Sequence, residues 1–233
     1  MIIIGNGRLI TRDSEQPYLE NGAVVTENEL IKEVGSLDAL RKKYPEAEFV
    51  DAKGGVIMPA FINAHTHIYS ALARGLSMSG YNPTNFFEVL DGMWWRLDRH
   101  LSLEDTRRSA YTTMIDCIKT GCTTIFDHHA SFFEIEGSLF AIADVAKELG
   151  IRACLCYEVS ERDGEKKLDA SIEENKNFID YCEREQDPML KAMFGGHALF
   201  TISDKTFERC VKANGGRTGF HIHVCEGMND VYD

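Results

Sequence analysis

Seven of the eight histidines in this 233-residue chain sit in small groups where apolar, strand-forming segments end: His65, His67, His128, His129, His197, His221 and His223, with only His100 apart. His65-Thr66-His67 is the sharpest group. Residues i and i+2 of a strand share a face, so both imidazoles can address one ion, at roughly 2.0–2.1 Å if it is zinc. An HxH triplet is common by chance; its setting at the end of the apolar run Ala60 to Ala64, just after Met58-Pro59, gives it weight. His223 offers a third nitrogen, and Glu226 follows three residues later. Three neutral imidazoles leave most of a dication's charge uncompensated, so a water on such an ion turns acidic near neutral pH. Glu226 is then placed to carry a proton to the leaving group. A core histidine beside a solvated glutamate is the alternative reading of that pair.

Other side chains fit around this centre. His197 follows Gly195-Gly196, which permit close backbone approach, and is expected to face a ligand. Lys191 lies near the start of the same segment, the wrong end for a lysine bridging two metals, so one ion is expected. Asp127 either lines a pocket or caps a loop. Arg162, grouped with Glu158 and Asp163, is a candidate to hold an anionic or carbonyl group of a substrate. Trp94, next to Trp95, is a candidate to cover a planar ligand, with packing as its alternative.

The elements that must position these residues change character along the chain. Residues 1–58 read as a small β-rich domain of β-sandwich type: Met1 to Ile10 is strand-prone, and Ala23 to Thr26 and Leu30 to Val34 flank a turn at Glu27-Asn28. Ser36 caps a short helix running to Tyr44. From residue 59 onward strand and helix alternate, with strands at Ala60 to Ala64, Thr123 to Phe126, Ile151 to Val159, Leu190 to Gly196 and Thr218 to Val224. Helices start at Ser102, Ser138 and Ser203, and a further one runs through Leu168, Ile172, Ile179 and Cys182. This alternation means an α/β fold with a parallel sheet, whose active sites lie at the C-terminal edge of the strands. For 59–233 that sheet is either a TIM-like (β/α) barrel represented by its first five strands, where closure takes eight, or an open doubly wound sheet. The long stretch from Ile68 to Leu101 reads as a functional loop.

Composition narrows the classes. Hydrophobic residues make up 44% and charged residues 27%, ordinary for a soluble globular enzyme, and the formal charge is -12. With no basic stripe, nucleic acid and anionic membranes are excluded as partners. No apolar run approaches the ~20 residues of a membrane span. The seven scattered cysteines are read as free thiols in a reducing cytoplasm. No glycine pattern for nucleotide phosphates follows any strand.

The run Gly54-Gly55-Val56-Ile57-Met58-Pro59-Ala60-Phe61-Ile62-Asn63-Ala64-His65-Thr66-His67, then Gly121-Cys122-Thr123-Thr124, then Phe220-His221-Ile222-His223-Val224-Cys225-Glu226, resembles the amidohydrolase superfamily in its chlorohydrolase and aminohydrolase branch. Cys156 to Gly164 and Gly196 to Phe200 look like the aminohydrolase group called SsnA. The resemblance implies that His65, His67 and His223 hold one divalent ion, zinc first and iron as the alternative. It implies that Glu226 is the proton shuttle, that His197 contacts substrate, and that the chemistry is hydrolysis of C–N bonds other than peptide bonds. The implied reaction is deamination of a cyclic amidine or heterocyclic base. Two departures are Ala60 in place of the usual Gly, and the end of the sequence at Asp233, before the sixth-strand His and eighth-strand Asp of the family. A truncated chain, inactive alone, is therefore one expectation. The rival expectation is a non-catalytic metal-binding half-barrel. An open parallel sheet exposes an edge and an apolar face, so a homo-oligomer is expected in either case.

Overall fold

A computed structural model describes residues 1–228. The chain forms two compact units, Met1–Ala60 and Phe61–Asp233.

In the first unit, β1 (Ile2–Ile10), β2 (Tyr18–Glu27), β3 (Leu30–Ser36), β4 (Glu48–Asp51) and β5 (Val56–Ile57) form one five-stranded sheet of order β3-β2-β1-β4, with β5 also on β1. The β2–β3 turn works because Asn28 adopts a left-handed φ of 54°, a conformation asparagine tolerates. Ile3, Ala23 and Val25 point from the strands to one face, and α1 (Leu37–Lys43), capped by Ser36, lays Leu37 and Leu40 over it. One face of the sheet is thus covered by the helix α1. Alternation along β1 and β2 shows that a face must be covered; it does not say by what.

In the second unit, β6 (Phe61–Thr66), β7 (Cys122–His129), β8 (Arg152–Tyr157) and β9 (Leu190–Ala192) form a parallel sheet in sequence order. β10 (Phe194–Ala198) pairs in parallel with β11 (Phe220–His223). The single fourth strand expected over Leu190 to Gly196 is therefore two strands broken at Met193, whose N–H donates to the Leu155 carbonyl at 3.0 Å. His197 N–H donates in turn to the Val159 carbonyl at 2.9 Å. The approach is close enough that a Cβ on Gly195 would meet the Tyr157 carbonyl oxygen at 2.1 Å, so only glycine fits there.

Helices α4 (Leu103–Lys119), α5 (Ser138–Leu149), α6 (Glu165–Glu185) and α7 (Asp204–Asn214) follow β6, β7, β8 and β10. The Ser102 hydroxyl caps α4 through a reciprocal box with Asp105, and Gly150, at φ 68°, ends α5. The apolar stripes of α4 and α5 (Ala110, Met114, Leu139, Ile142) join Ile125, Ala153 and Leu155 of β7 and β8 in one core. The stretch after β6 is helical in pieces: a 3₁₀ turn at Ile68–Ala73, then α2 (Phe86–Val89), a π turn at Leu90–Trp94 and α3 (Trp95–Asp98). Among the described residues no helix is long and apolar enough to cross a membrane.

Candidate metal centre and active site

The ends of β6 and β11 bring three imidazoles to one point. His65 Nε2 lies 3.1 Å from His67 Nε2 and 3.1 Å from His223 Nε2. The other nitrogens decide what these atoms are. His67 Nδ1 is 2.8 Å from the His128 carbonyl, and His223 Nδ1 is 2.8 Å from the His197 carbonyl. A carbonyl only accepts, so each Nδ1 carries the proton, and each neutral ring presents a lone pair at Nε2. His65 Nε2 holds at most one proton and cannot satisfy two lone pairs. A cation can: bonds of 2.0–2.1 Å in tetrahedral array separate nitrogens by about 3.4 Å, close to the spacing seen. The backbone carbonyls on the rear nitrogens are the partners that orient metal-bound histidines. The donor set fits a divalent ion.

Electrostatics favour the ligand form. Burial pushes His67 down to about 4, against the His128 carbonyl bond and together with the positive charge His223 and His65 would carry. Burial, then His223 and His65, push His221 down to about 4, and burial lowers His65 as well. A second group, His128, His221 and His223, has its nitrogens within 4.8 Å of one another, and a third joins His197, His223 and Glu226. Glu226 thus brings a carboxylate oxygen within 4.8 Å of ring nitrogens of His197 and His223.

A cavity of ≈ 230 Å³ opens over this point. His67, His223 and Glu226 form its polar floor, His197 and Glu158 one side, and Tyr69, Phe86, Leu90 and Trp94 the apolar wall. Trp94 comes from the π turn, a helix distortion frequent at functional sites. His129 is elsewhere: its Nε2 pairs with Ser131 Oγ at 3.0 Å inside the core. Asp127 is buried and accepts the Ile68 N–H at 2.6 Å, so it caps the turn that follows β6; burial raises it to about 8.

Arg162 is placed differently from the sequence expectation. It does not line the cavity. Its guanidinium grips Asp98 through two bonds, Nη1 to Oδ1 at 3.2 Å and Nη2 to Oδ2 at 2.5 Å. Nη2 also donates to Glu158 Oε1 at 3.0 Å, and Nη1 lies 3.2 Å from Asp163. Its side chain is 6% exposed and Asp98's is 1% exposed. The Phe132 ring lies 3.9 Å beneath its Cζ. The Arg162 Nη atoms are taken up by carboxylates, while Nε–H has no partner among the described residues. Glu158 takes the position on the cavity that the sequence suggested for Arg162. Burial alone would raise Glu158, but the charges of His197 and Arg162 outweigh it and hold the carboxyl below its ordinary value. Its place just after β8, at the C-terminal edge, was the available signal. Tyr69, Phe86 and Leu90 carried none.

Residues 56–233 match the model of the amidohydrolase family. The chain belongs to that family. A shorter match, residues 22–47, is to the imidazolonepropionase-like composite domain of bacteria. The chain is 30% identical over 227 residues to a 5'-deoxyadenosine deaminase of Methanosarcina barkeri, covering 97% of this chain and 49% of that protein. It is 31% identical over 232 residues to a 5-methylthioadenosine/S-adenosylhomocysteine deaminase of Thermococcus sibiricus, covering 99% and 50%. This amidohydrolase chain thus spans about half the length of the curated relatives it matches. Its fold matches that of an atrazine chlorohydrolase of Arthrobacter aurescens complexed with zinc and atraton, with a TM-score of 0.79 at 19% identity over 100% of this chain and 55% of the other. The α/β barrel class that the resemblance implies is therefore the observed one, represented by its first strands.

Proposed function

We propose that this amidohydrolase chain carries the metal-binding part of a hydrolase of non-peptide C–N bonds, one that deaminates a cyclic amidine or heterocyclic base. One observation carries the reading: two lone pairs, on His67 and His223, converge with His65 on a point that hydrogen bonding alone cannot satisfy. The deaminase names of the relatives and the zinc and triazine of the structural neighbour support it. One divalent ion, zinc before iron, belongs at His65, His67 and His223. When bound, such an ion acidifies water and polarises the carbon under attack.

The chain's own side chains do the rest. Glu226, beside the floor of the cavity, takes a proton from the attacking water and delivers it to the departing nitrogen, so that ammonia leaves neutral. His197 orients the ring from the side, and Trp94 covers its face. The apolar wall keeps bulk water from competing. Seven free cysteines support a cytoplasmic location. Self-association is supported by Phe61 and Ile62 of the edge strand β6, exposed at 59% and 62%.

The test is elemental analysis of protein prepared without chelator, wild type against His65→Ala, with ammonia release measured on purines, pyrimidines and triazines. One equivalent of metal, lost in the variant, and ammonia from one ring class are expected. Unchanged metal content in His65→Ala overturns the ligand assignment. Metal without hydrolysis of any ring favours a non-catalytic, self-associating metal-binding protein.

A further inference from the structure

We infer that Glu158 is a specificity-determining residue of this cavity, selecting nitrogen heterocycles that present an N–H donor and rejecting rings that carry a carboxylate or phosphate. The inference rests on the cavity being the substrate site, as proposed above. Glu158 is buried at the end of β8 and forms one side of the cavity. Its Oε1 is committed to Arg162 at 3.0 Å. Its Oε2 is 4.0 Å from His197 Nε2, beyond hydrogen-bond range, and among the described residues accepts no hydrogen bond. Glu158 lines the cavity, and a ligand N–H there would supply Oε2 with the donor that the described residues do not.

Three features keep the acceptor where it is. Arg162 cannot swing away, because Asp98 holds it by two bonds and Phe132 supports it from below. Tyr69, Phe86, Leu90 and Trp94 line the same cavity and offer a flat ring apolar and aromatic surface. Glu158 and Glu226 together repel an anionic substituent. A volume of ≈ 230 Å³ is below the ~300–1,000 Å³ of drug-sized pockets and suits one ring system. The ligand class is an amino-substituted or protonated nitrogen heterocycle whose N–H pairs with Oε2 while the carbon to be attacked lies over the histidines.

The chain's two tryptophans are Trp94 and Trp95, so quenching of their fluorescence reads this cavity. The probes are adenine, guanine, cytosine and melamine, titrated into wild type, Glu158→Gln and Glu158→Asp. We expect at least one probe to bind wild type and to bind Glu158→Gln ten-fold or more weakly, the scale of a charge-assisted bond. Glu158→Asp, which keeps the charge, is expected to recover part of that loss. Circular dichroism and metal content are expected to be unchanged in both. Binding within two-fold in Glu158→Gln, equal losses in the two variants, or no quenching of wild type by any probe overturns the inference. A wild type without metal that still shows Glu158-dependent binding sinks the hydrolase reading alone; a metal-loaded protein with Glu158-independent binding sinks this one alone.

Discussion

Two polar clusters meet at Glu158 and the cavity of this amidohydrolase chain, and they are built on opposite principles. Around Arg162 every charge meets its opposite: Asp98 by two bonds, Glu158 by one, and Asp163 shared with Arg99 at 2.7 Å. Around His65 like meets like, with three ring nitrogens aimed at one point and two of them fixed as lone pairs. The first cluster pairs its charges within the chain and holds shape, although Arg162 Nε and Asp163 Oδ2 have no hydrogen-bond partner among the described residues. The second is complete only with a cation. What separates the two clusters is the balance of charge: opposite charges pair around Arg162, and lone pairs face one another around His65.

The strongest way to break that contrast is Arg162→Met. Removing the one cation strands Asp98 and Glu158 as buried charges, and stability is expected to fall by about 3–5 kcal/mol, read from urea unfolding. A loss below about 1 kcal/mol would mean that the carboxylates pair elsewhere. The histidine cluster should respond in the other direction. Zinc at a hundred times its Kd is expected to raise wild-type stability by about 2.7 kcal/mol, while His223→Ala gains nothing from the same addition. An equal gain in the variant would place the ion elsewhere.

The smallest effect concerns pH. Glu158 is held below its ordinary value, so its contribution is present above its unfolded pKa of 4.5 and is lost as pH falls through the folded pKa. Below pH ~4.5, urea unfolding of wild type should therefore lose stability more steeply than that of Glu158→Gln. Parallel acid limbs would show that Glu158 is not held ionised by its neighbours.

The histidine cluster was legible in sequence because its signals are local. His65 and His67 are two apart on one strand, so strand geometry alone puts them on a shared face, and each histidine group follows an apolar run whose end a parallel sheet turns into an active edge. Helix caps at Ser36, Ser102 and Ser203 were legible for the same reason, since a cap is a contact three residues long. The role of Arg162 was not. Its partner Asp98 is 64 residues away, and no spacing rule reports which of several carboxylates a buried guanidinium will meet. The same holds for the apolar wall: Tyr69, Phe86 and Leu90 read as ordinary hydrophobic residues until the pieces of helix after β6 fold over the strand ends.

What the sequence by itself determined was the strand–helix alternation, the edge on which the chemistry lies, and the identity of the histidines. Each follows from the period of the backbone over a few residues. Only the tertiary structure decided which nitrogens face inward as lone pairs, that a helix covers the N-terminal sheet, and that Glu158 meets the cavity while Arg162 stands behind it. Those outcomes depend on contacts between segments far apart in the chain, where packing and charge balance select one partner among many that local patterns leave equivalent.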